Sequence, residues 1–195
     1  MAYTGLQYAV VAKIATETAG SAITYSTGKV LGTLISANLT WTRNDNPLYA
    51  DDSIAENDNG VTGGTIELNT DDITEEGRVY VLGDTEVTVG SGTTTTEYET
   101  TDKSAPYVGV GFLRVRRKNG TTSYIAEWVH KAQFAMENEE AQTKGETIEW
   151  QTPTITGTIF GVHNDLTTAT SFRRIATFET EAAAKTWLNT KAGIS

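Results

Sequence analysis

The chain contains no cysteine, which removes disulfide frameworks, thiolate metal sites and nucleophilic cysteine chemistry together. Histidine is nearly as scarce. His130 and His163 stand far apart in no HxH or HxxxH spacing, so both are given structural roles and no metal site or cofactor is expected. Long apolar runs are missing too. The longest early one, Tyr8 to Ala12, has no basic segment before it and falls far short of the roughly 20 residues of a membrane-spanning helix. A cytosol-like compartment without a membrane partner is the expectation. Positive charge is outnumbered: 15 Lys and Arg against 25 Asp and Glu leave a net charge of −10. A surface of that sign repels phosphate backbones, which argues against a nucleic-acid binder.

What is present is a chain of 195 residues, suited to one domain over 1–195 that buries roughly 70% of its unfolded surface. Thr, Val, Ile and Tyr are plentiful and short alternating runs are separated by Asn, Asp and Gly. This composition describes an all-β protein with minor helices, a β-sandwich or barrel. Strands are expected near 6–15, 28–41, 61–69, 85–90, 106–118, 121–136, 146–160 and 172–178, the seventh with Pro153 at an edge or bulge.

Two segments read as helices. Residues 70–82 have Thr70 or Asp71 available as a cap, acids in the first turn and Gly83 as a stop, giving one flanking helix. Gly77 inside it costs about 1 kcal/mol relative to Ala, so packing by Ile73, Tyr80, Val81 or Leu82 must hold it. Residues 180–190 form a C-terminal helix, capped by Thr180, with Trp187 and Leu188 over Ala183 and Ala184 and with Lys185 and Lys191 toward its end. The stretches 44–60 and 90–106 read as long working loops.

Asn119-Gly120 marks a two-residue type I′ hairpin turn, because both central positions need positive φ. It sets the register: Lys118 opposes Thr121, Val115 opposes Tyr124, Leu113 opposes Ala126, Gly111 opposes Trp128 and Val110 opposes Val129. Alternation then places Tyr107, Gly109, Gly111, Leu113, Val115, Tyr124, Ala126 and Trp128 on a core face, with the Trp128 indole over Gly111. The opposite face carries Val108, Val110, Phe112, Arg114, Arg116, Ser123, Ile125, Glu127 and Val129, apolar at its base and charged toward the tip. Such a face suits contact with another subunit.

Strands of this length project Arg114, Arg116, Arg117 and Lys118 as a basic tip. Acids lie elsewhere: from Arg43 to Arg78 no cation interrupts a run that includes Asp45, Asp51, Asp52, Glu56 and Asp58. A basic projection and an acidic loop on one chain can satisfy each other between neighbouring copies, head to tail, in rings or filaments. The alternative is a solvated tip whose charges blunt an edge.

Signals for catalysis fail on spacing. Residues 51–60 do not match a calcium loop, since Ile66 stands where the bidentate carboxylate belongs. Residues 109–114 begin with GVG, but Arg114 replaces the third glycine and the segment is a strand. Gly28-Lys29 is followed by Val30, so there is no P-loop, and no GxSxG elbow occurs. The carboxylates in 71–76 are helix-start charges rather than a glycosidase pair. No catalytic residue is assigned, and the chain is expected not to be an enzyme. Tyr49, Tyr107, Tyr124, Trp128 and Trp150 leave one alternative, a monomeric carbohydrate-binding or adhesin-like β module.

Seven ordered segments carry a wider likeness: "GLQYAVVAKI" (5–14), "TYSTGKVL" (24–31), "NPLYADD" (46–52), "TDDITEEGRVYVLG" (70–83), "PYVGVGFLRVRRKNGTTSYIAEWVHKAQF" (106–134), "AQTKGETIEWQTPTITGTI" (141–159) and "FETEAAAKTWL" (178–188). In this order and spacing the sequence resembles the major tail proteins of long-tailed bacteriophages, the tail tube proteins of the phi13-like group. The resemblance implies a β-sandwich with a flanking helix that assembles into hexameric rings stacked as a tube. It implies a negatively charged lumen through which DNA passes as non-specific cargo, and a virion location after synthesis in the host bacterial cytoplasm. The implied partners are further copies of the chain and the tape-measure, terminator, baseplate and portal-proximal proteins, with 44–60 in the place of a loop that reaches the next ring.

Overall fold

A computed structural model describes residues 2–18, 21–50, 53–89, 95–135, 152–164 and 167–194. The first half runs β1 (Ala2–Thr16), β2 (Thr24–Tyr25), β3 (Lys29–Gly32), β4 (Leu34–Arg43), β5 (Asn46–Ala50), β6 (Ser53–Asp58), β7 (Val61–Thr70) and α1 (Glu75–Val81). The second half runs β8 (Thr85–Val89), β9 (Thr95–Glu99), β10 (Val108–Lys118), β11 (Thr121–Ala135), β12 (Thr154–Ile159), β13 (Val162–Asn164), β14 (Thr167–Ser171), β15 (Arg173–Phe178) and α2 (Glu181–Ala192). The all-β class with two minor helices holds.

Nine of these strands form one antiparallel sheet in the order β2-β1-β10-β11-β12-β7-β4, with β3 also on β1 and β15 also on β11. The sheet wraps a core in which Val11, Leu31, Ile66, Leu68, Phe112 and Phe134 meet, all essentially without solvent contact. Each such side chain contributes roughly 1.5–3 kcal/mol by leaving water. β11 is the organiser. Its first half pairs β15 and its second half pairs β12, while β10 runs along its other edge.

The hairpin register is the one expected from Asn119-Gly120, pair for pair, and those two residues have φ of 50° and 79°. The expected strand 28–41 is instead two. Gly32, at φ 145°, turns the chain between β3 and β4, and a Cβ there would stand 2.7 Å from the Asp72 carbonyl oxygen. β3 therefore joins β1 while β4 joins β7.

The flanking helix is shorter than 70–82 and capped by a different residue. Thr70 and Asp71 are still held by backbone bonds to the Pro153 and Thr33 carbonyls, so the helix starts only after Thr74, whose hydroxyl accepts from the Gly77 N–H at 3.1 Å. Val81 and Leu82 are buried and Ile73 and Tyr80 pack beside them, as the cost of Gly77 required. Thr180 does cap α2, and Gly193 ends it in the left-handed conformation.

The described residues of the segment 44–60 include two paired strands rather than a loop alone. β5 pairs β6 from Asn46↔Asp58 to Ala50↔Ser53, and the Asn44 N–H donates to the Gly60 carbonyl at 2.8 Å, which carries the β4–β7 ladder onward. Residues 90–106 likewise include β9, which pairs β8. Of the expected strand 146–160, β12 is the described part, and residues 146–151 lie outside the described residues. Pro153 stands just before this internal strand, not in an edge strand or a bulge.

Candidate functional site

The basic hairpin belongs to a four-stranded section of the sheet, made by β1 (Ala2–Gln7), β10, the first half of β11, and β15. One face of this section lies under α2. Ala184, Leu188 and Ala192, one helical turn apart, meet Val10, Ala12, Leu113, Ala126 and Trp128 in a second buried cluster, with Tyr124 at its margin. Gly111 makes the fit possible, since a Cβ there would stand 2.7 Å from both Leu188 and Trp128 side-chain atoms. Gly111, Leu113, Tyr124 and Trp128 thus form the core face as expected. Tyr107 does not join them; it is 43% exposed and packs edge-on against Phe160.

Polar groups around this cluster are mostly paired. Trp128 Nε1 donates to the Tyr25 hydroxyl at 3.2 Å, and that hydroxyl donates to the His130 carbonyl at 2.8 Å. Burial pushes the Tyr25 phenol up to about 12. His130 is buried, its Nε2 has no hydrogen-bond partner among the described residues, and its pKa falls to about 4 because burial, Arg174 and Lys191 all oppose protonation.

The opposite face was expected to meet another subunit along its whole length. Its apolar base does not: Val108, Val110, Phe112 and Val129 are fully buried in the chain's own main core. Only the outer half remains open, with Tyr3 and Ile175 about half exposed beside Arg114, Arg116 and Ser123. Glu127 sits beneath them. Its carboxylate is 2% exposed and accepts from Arg114 Nε at 3.2 Å and from Arg173 at 3.0 Å, tying β10, β11 and β15 together. The Arg114 guanidinium also lies over the Tyr3 and Phe112 rings, and that of Arg173 over Trp41. Arg116 donates to the Ser123 hydroxyl at 3.1 Å, while Arg117 and Lys118 are exposed at the tip.

The section has two open edges. β15 pairs only with β11 among the described strands, and residues 2–7 of β1 pair only with β10. The bond from the His130 N–H to the Phe172 carbonyl fixes the phase of the β11–β15 ladder. Antiparallel alternation then turns the N–H groups of Arg174 and Ala176 toward β11 and those of Arg173, Ile175 and Thr177 outward. A row of unpaired backbone groups of this kind is a template for another strand.

The acidic residues occupy the ribbon. Asp45, Glu56 and Asp58 are exposed on or beside β5 and β6, whereas Asp51 and Asp52 lie outside the described residues. Asp45 accepts from Asn57 Nδ2 at 3.0 Å and Asp58 from Asn44 Nδ2 at 2.9 Å. Residues 44–50, extended at about 3.3 Å each, carry the ribbon about 23 Å beyond β4. The second ribbon, β8–β9, is held at its root by buried Asp84, which accepts from Arg78 Nε at 2.9 Å and from the Thr100 hydroxyl at 3.2 Å.

Sequence reasoning had placed Glu127 on the charged face but missed its partner Arg173, which no local pattern connects to it. Of the aromatic residues considered for sugar stacking, Trp128 is buried, Tyr124 partly so, and Tyr107 lies apart. Trp150 and the Tyr49 side chain are outside the described set. Among the described residues no helix is long and apolar enough to cross a membrane. No protein-family model matches the chain, and no curated protein matches it either.

Proposed function

We propose that the protein is the structural subunit of a bacteriophage tail tube, in which copies join edge to edge into stacked rings. The observation that carries this reading is the four-stranded section with an open edge on each side. β1, β10, β11 and β15 alternate in direction, so β15 of one copy meets β1 of the next antiparallel, and an even strand number preserves that alternation around a closed ring. Closing the ring pairs both open edges of the section at once.

Three further features support it. α2 covers one face of the section and so makes it a two-layer wall of sheet and helix. Three two-stranded β-ribbons, β5–β6, β8–β9 and β13–β14, are available for contacts beyond the sheet. The net charge of −10 suits a conduit that passes DNA without holding it. Six copies per ring, a negatively charged lumen and a virion location follow from the resemblance to tail tube proteins. Partners on this reading are other copies of the chain and the tape-measure, terminator and baseplate proteins.

The test is negative-stain electron microscopy of the purified chain across concentration and salt, with light scattering alongside. Hollow rings or tubes are the expected result. A monomer at every condition that binds a sugar array would overturn the reading in favour of a carbohydrate-binding module.

A further inference from the structure

Each open edge of the four-stranded section carries one large apolar side chain that the subunit leaves half uncovered, Tyr3 at 51% on β1 and Ile175 at 47% on β15. They stand on opposite edges, so neither can cover the other within one copy. Both point to the same side of the sheet. Tyr3 pairs Arg116, Arg116 pairs Ser123 and Ile175 pairs Glu127, all on the face away from α2. Backbone phase agrees with this. Lys118 and Thr121 bond each other across the two-residue turn, and ladder alternation then aims the bonding groups of Val115 and Arg117 at β1, where Gly5 and Ala2 meet them. Tyr3 and Leu6 therefore turn their own N–H and C=O groups outward, as Arg173, Ile175 and Thr177 do on β15.

We infer that Tyr3 and Ile175 set the register of the joint between copies, Tyr3 of one copy bonding directly opposite Ile175 of the next. This rests on the edge-to-edge reading above and names the pair that fixes its stagger. Phase permits Tyr3 to face Arg173, Ile175 or Thr177. Side chains choose among them. Arg173 is already bound by Glu127 and lies over Trp41, and Thr177 is polar; of the three, Ile175 offers the uncovered apolar surface that a cross-strand aromatic favours. Leu6, the other outward residue of β1, is packed against its own core. Arg114, held by Glu127, lies over the Tyr3 ring at 5.4 Å and keeps it in place. Strand stagger gives an independent reading. The row through Tyr3, Arg116 and Ser123 reaches the line of β15 at Glu179, one residue past the Tyr124–Phe178 pair, and Ile175 lies four residues short of it. Four residues of stagger over four strands make the shear equal to the strand number and tilt the strands by about 35°, inside the range of closed barrels. Facing Thr177 would tilt them by only about 20°, and facing Arg173 by about 47°. The latter also carries Ile175 past Tyr3.

The cysteine-free chain permits a direct test. Tyr3→Cys is combined in one chain with Ile175→Cys, with Arg173→Cys or with Thr177→Cys, and each assembled protein is oxidised and separated without reductant. Within a subunit these positions lie on opposite edges, three strand spacings or at least about 14 Å apart, so a disulfide forms only between copies. Opposite residues of a bonded pair stand about 5.5 Å apart at Cα, within disulfide reach, whereas positions two residues out of register stand roughly 9 Å apart. The Tyr3–Ile175 positions are expected to give covalent multimers at least about tenfold faster than the other two combinations. A second measurement keeps the native pair in the parent background. Tyr3→Ala and Ile175→Ala are each expected to raise the concentration for half-assembly about fivefold, and the double variant about tenfold, short of the roughly 25-fold of independent sites. Where the cysteine proteins do not assemble this cycle decides alone, and independent effects overturn the pair. Faster linkage at Arg173 or Thr177 overturns the register and leaves the joined edges standing. Rings that link at none of the three positions overturn the edge-to-edge reading itself, and a parent chain that never assembles removes both.

Discussion

A pair of proline substitutions one residue apart in β15 separates folding from assembly. The ladder phase set by the His130–Phe172 bond turns the Ala176 N–H toward β11 and the Ile175 N–H toward the open edge. Ala176→Pro deletes a bond inside the subunit and drives a ring toward β11, on the scale of about 3 kcal/mol. In a chain of this size that lowers Tm by roughly 6–12 °C. Ile175→Pro deletes no bond of the subunit. It removes only the covered half of an isoleucine that is 47% exposed, about 1 kcal/mol, and Tm falls by only about 2–4 °C. Assembly is expected to respond in the opposite sense. Ile175→Pro takes away a donor that the neighbouring β1 needs, so the folded subunit stays monomeric by sedimentation where the parent chain forms rings. Equal thermal destabilisation by the two prolines would refute the ladder phase, and rings formed by Ile175→Pro would refute the use of this edge.

Other residues allow sharper tests of the fold. Glu127→Ala leaves two guanidinium groups without their shared carboxylate; breaking a buried pair costs about 3–5 kcal/mol, and with Arg114 and Arg173 at 22% and 32% exposure the expected loss is about 2–3 kcal/mol by urea unfolding. A loss under half a kcal/mol would mean the network holds nothing together. Gly111→Ala drives a methyl to 2.7 Å from Leu188 and Trp128, so overpacking should cost about 1–3 kcal/mol and loosen α2, seen as faster amide exchange in residues 184–192. Parent-like stability would show that helix and sheet are not in close contact. His130 has a folded-state pKa lowered to about 4 from 6.5, so its stabilising contribution is fully present above about pH 6.5. As pH falls the unfolded chain binds the proton first, and about 2–3 kcal/mol is lost between pH 6.5 and 4. His130→Leu should flatten the stability profile in that window, and an unchanged slope would show that the imidazole is not buried neutral.

The sequence made some of this architecture legible because the signals were local. Asn119-Gly120 specifies its own turn, and the turn specifies every cross-strand pair up to Gly111 and Trp128. Thr180 and Gly193 bracket α2 by capping chemistry alone. Where meaning depended on distant chain, it was hidden. Gly32 resembles any strand glycine until Asp72 comes against it, so the division between β3 and β4 carries no sequence mark. The ribbon in 44–60 lacks apolar alternation because most of its described residues are exposed on both faces, leaving backbone pairing without a hydrophobic period to report it. Val108, Val110 and Phe112 were correctly placed on one face, yet that they fill the subunit's own core followed from β7 and β12 folding over them. Glu127 and Arg173 lie on strands that meet only in the folded sheet, so the ion-pair network at the centre of the candidate surface had no signal beyond the alternation that aimed Glu127 toward Arg114.

The central claim is that the open edges of the four-stranded section join between copies. Electron cryo-microscopy of the assembled protein at a resolution that separates strands tests it most directly. The strand beside β15 is predicted to be residues 2–7 of the neighbouring copy's β1, antiparallel and about 4.8 Å away, in a continuous barrel around the ring. An assembly in which β15 faces solvent, or in which the copies meet through α2 or the ribbons alone, would contradict it.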